Sequence, residues 1–385
     1  MSAARLSFHF LRLAILALVV VVIVFVAGVF TILPGVRQAA VTLPVVSAEE
    51  SARTLAAMKP PKRLRPVVAI IGANDGTETT DYLVPYGVLK RSGVADVFAL
   101  GTRPGPIALM PALAVVPDST VAEFNTRYPS GADYVIVPAL MDPTDAAVRD
   151  FIKAQAAGRA TIVSICDGTL VMANAGLLDG RNATGHWFKI GDVARAHPTM
   201  HWVRDRRYVA DRGVVTSTGI SSSIPVSLAL VEAIAGPERA EALAHEIGAR
   251  GWQMTHDSGA FRLIRSDVWM VLGNLVTGLV HRDVVGVRMN EGADLIALAF
   301  TADTYSRTFR SRAVVLGGRP VTSAEGLRVV GDQGRATPDL VLELPSNQPA
   351  HALDTAIRGI EARYGKPTAA FVRVQLEDRG HTTGG

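Results

Sequence analysis

The sequence predicts an α/β chain built on a doubly wound, parallel sheet, with a sharp strand-to-helix turn at its centre and a degenerate partial repeat of the same fold behind it. Three observations predict it. Short continuous apolar runs such as V-V-A-I-I at 67–71 alternate with helix-length segments. That pattern belongs to parallel strands buried on both faces and joined by crossover helices. The run T-I-V-S-I at 161–165 ends in the only cysteine, Cys166, and passes at once into apolar and small residues closed by Asp179-Gly180. Finally, part of the pattern of residues 66–236 recurs in 284–385.

The elements follow in order. The first strand is 67–71, and the loop N-D-G-T-E-T-T leads into a helix expected over 81–91, with Gly93 as its stop. Strands are expected at 97–100, 134–137, 161–165 and 214–218. Helices are expected at 146–157, after Cys166, at 224–235 and at 268–280. A last strand is expected at 370–374. In such sheets, sites lie at the carboxyl ends of strands, where Asp81 and Cys166 both fall.

Composition sets limits. The 385 residues suffice for two domains, and 49% hydrophobic residues with 35 glycines suit a globular α/β protein. A net charge of +4 with no Lys/Arg stripe interleaved with aromatics argues against a nucleic-acid partner. One cysteine excludes an internal disulfide and a cysteine-based zinc cluster. Residues 13–33 are 21 uncharged, mostly apolar residues, the length that spans a bilayer as a helix. Arg5 and Arg12 favour a cytoplasmic N-terminus. A single-pass membrane protein with an extracytoplasmic globular part is therefore expected. Its plan is a cytoplasmic segment 1–12, a transmembrane helix 13–33, a proline-containing tether 34–65, a main domain 66–250, a helical connection 251–283 and the partial repeat 284–385.

The repeat rests on ordered matches. N-D-G at 74–76 matches N-E-G at 290–292, and Arg103-Pro104 matches Arg319-Pro320. The stretch from Leu113 to Asp118 matches that from Leu327 to Asp332, Asp133-Tyr-Val matches Asp339-Leu-Val, and Ala147-Val-Arg149 matches Ala356-Ile-Arg358. Gln375 then lies near the place of Cys166 and Ala297 near that of Asp81. The copy retains the core pattern without the reactive groups, and it is expected to pack on the first domain as an internal pseudo-dimer, unless the chain forms a homodimer.

Cys166 is the candidate nucleophile. At a strand-to-helix elbow its side chain stands above the sheet, at a helix N-terminus whose amides and dipole stabilise an anion and so lower a thiol's pKa. A buried structural cysteine is the competing reading. The adjacent Asp167 and Gly168 and the abrupt switch to helix favour the nucleophile.

The motif strand-C-D-G-helix-A-G-L-L-D-G-R-x-A-T-x-H-W resembles the ThiJ/PfpI superfamily of the flavodoxin-like, class I glutamine amidotransferase-like fold. It is most like the amidotransferase-like domains of AraC-type regulators, although no DNA-binding helix-turn-helix follows. The resemblance covers about 66–236. It implies that Cys166 is the nucleophile, that Asp81 is the acid beside its sulfur and that His186 belongs to the site. Asp81 also fits a helix N-cap, and His186 a packing residue beside Trp187. A carboxyl next to a thiolate makes sense only if it is protonated or acts as an acid/base with a raised pKa. The peptidase-like members carry histidine after the cysteine, where this chain has Asp167. The amides of Ala139 and Leu140, after the third strand, together with Asp167 and Gly168, are the candidates for an oxyanion-binding pocket. His256-Asp257-Ser258 reads as a loop.

Two functions follow. One is a cysteine-dependent hydrolase, hydratase or glyoxalase-like enzyme acting on a small amide, nitrile-like compound or aldehyde, with no cofactor and no metal. The other is a non-catalytic small-molecule or redox sensing module.

Overall fold

The computed structural model describes residues 20, 21, 24, 26–37 and 43–380. Helix α1 (Ala48–Ala57) starts at Ser47, whose side chain accepts from the Glu50 amide, and lies within the segment expected to be a bare tether. It ends at the fully buried Met58, whose carbonyl receives the Tyr134 hydroxyl at 2.6 Å. A tether so anchored is part of the domain's packing.

The main sheet contains β1 (Val67–Gly72), β2 (Asp96–Gly101), β3 (Ser119–Thr120), β4 (Tyr134–Val137), β5 (Thr161–Ser164), β6 (Tyr208–Asp211) and β7 (Val214–Ser217). Its order is β6-β7-β5-β4-β1-β2-β3. Every neighbouring pair is parallel except β6 and β7. Alternate residues of each strand enter two cores. Val68, Ile70, Ile136 and Val163 face one; Val67, Ile71, Val135 and Ile162 face the other. Helices α2 (Thr79–Ser92), α3 (Ala146–Ala157), α4 (Gly168–Asn174), α5 (Ser223–Ala235) and α6 (Pro237–Ile247) complete the layers. Gly93 closes α2 in the left-handed conformation, φ +69°, which glycine adopts without a Cβ penalty.

Beyond α7 (Arg265–Val280) lies a three-stranded parallel sheet. Its central strand β8 (Asp283–Arg288) is flanked by β9 (Ser311–Leu316) and β10 (Leu340–Glu343). Helix α8 (Leu295–Ser306) is buried along its whole length and enters the same core as α2 and α5. Val115 and Val116 pair antiparallel with Val329 and Arg328, so one small sheet contains strands from both parts of the chain. Thr80 donates to Asp303 at 2.9 Å, Arg91 pairs with Asp294, and Arg307 pairs with Glu78 at 2.6 Å.

Two expectations are corrected. The expected strand 370–374 is helical. It lies in α10 (Lys366–Leu376), which follows α9 (Ala352–Tyr364) after Gly365. Its buried residues Thr368, Ala369, Phe371, Val372 and Val374 recur on one side of a helix, and Pro367 suits its first turn. The membrane span at 13–33 lies partly outside the described residues. Among those described, no helix is long and apolar enough to cross a membrane. The end of this run is instead tied to the protein. Arg265 donates to the carbonyls of Phe30 and Leu33, and Arg37 makes two bonds to Asp267 at 2.6 and 2.7 Å. The single-pass membrane location, and the extracytoplasmic placement that depended on it, are therefore overturned.

Candidate functional site

Cys166 sits between β5 and α4 with φ +55°, a left-handed conformation unusual for a residue with a side chain. Its amide donates to the Thr218 carbonyl at 3.1 Å, which fixes the turn against the end of β7. A Cβ at Gly168 would collide with the Val137 carbonyl oxygen, so only glycine lets α4 begin so close to β4. The elbow expected from the sequence is thus present, though α4 is only seven residues long.

The electrostatics differ from the expected lowering of the thiol pKa. Cys166 is 4% exposed. Burial pushes its thiol well up, and the carboxylates of Asp81, Asp167 and Glu78 push it further. The carboxyls respond in turn. Burial raises Asp81 to about 7, against a lowering by its bond from Ala139. Burial also raises Glu78 and Asp167.

Asp81 lies in the first turn of α2, but the side chain that caps this helix is that of Glu78, which accepts from the Asp81 amide at 2.6 Å. The Asp81 carboxyl is therefore free to turn elsewhere. Oδ2 accepts from the Ala139 amide at 3.1 Å, while Oδ1 is buried without a hydrogen-bond partner. The Ala139 N–H thus holds the acid. Leu140 is fixed by a bridge to Thr77.

His186 Nε2 is 3.0 Å from the Gln375 carbonyl oxygen, an acceptor, so Nε2 carries the proton. Nδ1 is buried without a hydrogen-bond partner and lies 4.0 Å from Asp167 Oδ1. Cys166 Sγ, an Asp167 oxygen and a His186 nitrogen lie within 4.8 Å of one another. This sulfur, oxygen and nitrogen set is of a kind that divalent metals use.

Three residues of the site escaped the sequence reading. Arg307 is sandwiched between Glu78 and Asp303, and these acids raise its pKa against the burial that would lower it. Glu78 stands three residues before Asp81, in a loop where nothing marked it as buried. Glu377 closes α10 in a left-handed conformation, φ +53°. Its carboxylate accepts from the amides of Trp187 at 2.5 Å and Gly219 at 2.7 Å, and lies 3.3 Å from His256 Nε2. Arg307 and Glu377 come from beyond residue 284, so no local motif announced them. His256-Asp257-Ser258 does form a loop, and its histidine serves this anchor.

Residues 67–233 match the DJ-1/PfpI family. An isonitrile hydratase from Pseudomonas putida is 33% identical over 111 residues, 28% of this chain. That stretch spans about half, 46%, of the relative's length. Among solved structures, a DJ-1 superfamily protein from Salmonella typhimurium is similar over 48% of this chain and all of its own, at 24% identity and TM-score 0.43. DJ-1beta from Drosophila melanogaster matches over 49% of this chain and all of its own, at 22% identity and TM-score 0.44. A ThiJ/PfpI family protein from Pseudomonas syringae matches 47% of this chain and 74% of its own, at 26% identity and TM-score 0.42. The family match over residues 67–233, with a buried cysteine at the elbow of a parallel-dominated sheet, supports the DJ-1/PfpI (ThiJ/PfpI) superfamily for this part of the chain.

Proposed function

We propose that residues 66–250 form a cysteine-dependent hydratase or hydrolase for a small electrophile containing a carbon–nitrogen multiple bond, an isonitrile first among them. The observation that carries this is the Cys166–Asp81 pair: a thiol on a left-handed elbow, under the charge of a fully buried acid with one unpartnered oxygen and a pKa of about 7. Such an acid suits proton transfer near neutrality. The likeness to an isonitrile hydratase supports the choice of substrate. Within the superfamily we place this domain nearest the amidotransferase-like domains of AraC-type regulators, on the A-G-L-L-D-G-R sequence after the elbow.

The chemistry balances. Sulfur adds to the terminal carbon of R–N≡C while Asp81 takes the thiol proton, then returns it to that carbon to give R–N=CH–S–Cys166. Water adds across C=N, its proton going to nitrogen. The C–S bond breaks, the hydroxyl proton passes through Asp81 to sulfur, and R–NH–CHO leaves. Because the resting thiol is neutral, Asp81 supplies the activation that a lowered thiol pKa would otherwise give. His186 Nδ1 and the Asp167–Gly168 turn border the reacting carbon.

The test is turnover of a panel of isonitriles, nitriles, simple amides and methylglyoxal by wild type, Cys166→Ala and Asp81→Asn. Wild type should turn over at least one member. Cys166→Ala should abolish the activity, and Asp81→Asn should reduce it by about 100-fold or more. Turnover that survives in Cys166→Ala would defeat the reading. The raised pKa of a buried thiol favours a second reading, a non-catalytic small-molecule binding module; redox sensing would need a thiolate that this environment opposes. The binding reading predicts no turnover but saturable ligand binding.

The architecture we propose is an internal pseudo-dimer in which 284–385 is a shortened copy of the main domain. Its support is reciprocal contact, as a two-fold axis requires. At an offset of 216 residues, Glu78 corresponds to Asp294 and Arg91 to Arg307, and the observed pairs are Arg91–Asp294 and Arg307–Glu78. At the same offset, Thr80 meets Asp303 and Gly87 meets Ile296. Beyond the elbow the offset becomes 129: Gly219 faces Glu377, and Gly248 faces Gln348. On this alignment the copy omits the elbow altogether and resumes at the last two helices.

A further inference from the structure

A cavity of about 490 Å³ opens beside the elbow, within the ~300–1,000 Å³ usual for small-molecule sites. Its chemistry is divided between two ends. Asp167, His186 and Arg307 stand at one end, and the contacting atoms of the first two lie within 4.8 Å of Cys166 Sγ. Most of the rest of the wall is apolar: Val268, Val271 and Leu272 from α7, Phe309 and Phe371 from beyond residue 284, and Trp187 and Phe188 from the main domain, with Gln375 and the Arg37-paired Asp267 as its other polar members. The two phenylalanine rings stack with centroids 6.3 Å apart. Within the polar end, Arg307 is already held by Glu78 and Asp303, whereas His186 Nδ1 is buried and unpartnered.

Resting on the cysteine chemistry proposed above, we infer that this cavity is the substrate's side-chain subsite and that the substrate is a neutral alkyl or aryl compound. Its electrophilic head would lie toward Cys166 and His186, its hydrocarbon body against α7, Phe309 and Phe371. Burying an ionic or sugar-like body here would remove its hydration without returning hydrogen bonds. Burying methylenes or a phenyl ring against these walls is favourable in proportion to the area covered. Apart from Trp187 and Phe188, the apolar wall lies outside residues 66–250. The main domain therefore supplies the nucleophile, and the following helix and C-terminal part supply most of the selectivity.

The experiment uses the full chain and measures binding apart from turnover. N-benzylformamide serves as the neutral probe and N-formylglycine as the charged probe of similar head, titrated calorimetrically into wild type and Cys166→Ala. N-benzylformamide should bind both proteins, at least tenfold more tightly than N-formylglycine. Val271→Trp should fill the cavity and weaken N-benzylformamide at least tenfold. Leu272→Trp, at a position 37% exposed that accommodates a larger side chain, should do the same, with folding of both checked by circular dichroism. Equal affinity for the two probes, or undiminished N-benzylformamide binding in both folded tryptophan variants, would overturn the inference. Binding as expected without turnover of any isonitrile, nitrile or amide would instead remove the enzymatic reading and leave the subsite standing.

Discussion

At the scale of single residues, burial sets the ionisation of the carboxyls around Cys166. In the unfolded chain the Asp81 carboxyl has the ordinary aspartate pKa of 3.8, and burial in the folded protein raises it to about 7. Between those values the folded state keeps a proton that the unfolded chain has released. Its contribution to stability is full below about pH 4 and is lost as pH rises through 7. Asp81→Asn should remove that slope, worth on the order of a few kcal/mol, in melting temperatures recorded from pH 4 to 8. An unchanged slope would assign the titration to another acid. Glu377 makes a different prediction. Replacing it by alanine leaves the buried amide of Gly219 and the half-buried amide of Trp187 without their acceptor, at a cost of about 2–4 kcal/mol. Urea unfolding would measure the loss.

Among the elements, the elbow is the most constrained. Gly168→Ala forces a Cβ into the Val137 carbonyl. Either α4 or β4 must then move, and the variant should lose more than about 2 kcal/mol in urea unfolding. A variant as stable as wild type would show that the turn has slack. The elbow was legible because strand, nucleophile and helix follow one another locally. β4 and α3 fall where expected, at Tyr134–Val137 and Ala146–Ala157, since a short apolar run and an amphipathic stretch with a capping Asp145 carry their own signals. The helix at Lys366–Leu376 resembles a strand over a short window because the run from Phe371 to Val374 is rich in β-prone residues. Only the longer window, from Pro367 onward, shows helical spacing.

At the scale of the whole molecule, the two parts share one core, in which α2, α5 and α8 bury their faces together. A separate 62–250 fragment would expose the α2 face carrying Thr80 and Gly87. It should aggregate, or pair with itself through that face into a homodimer, and should recover monomeric behaviour when mixed with 262–385. Light scattering would follow this. A monomeric, well-folded 62–250 fragment that gains nothing from its complement would refute the internal pseudo-dimer.

The sequence by itself determined the parallel α/β pattern and the elbow at Cys166, since apolar period, turn chemistry and residue order are local properties; the role of Asp81 as the acid was implied only by the resemblance to the ThiJ/PfpI superfamily. Tertiary structure decided the ionisation of the site. Burial and the convergence of Asp81, Asp167 and Glu78 on one sulfur turned an expected lowering of its pKa into a rise. Tertiary structure also decided how the ends of the chain are used. Arg307 and Glu377 reach the elbow from more than a hundred residues away, and the end of the apolar N-terminal run is bonded to Arg265. Such contacts depend on which surfaces meet once the cores have closed, and no spacing along the chain encodes that meeting.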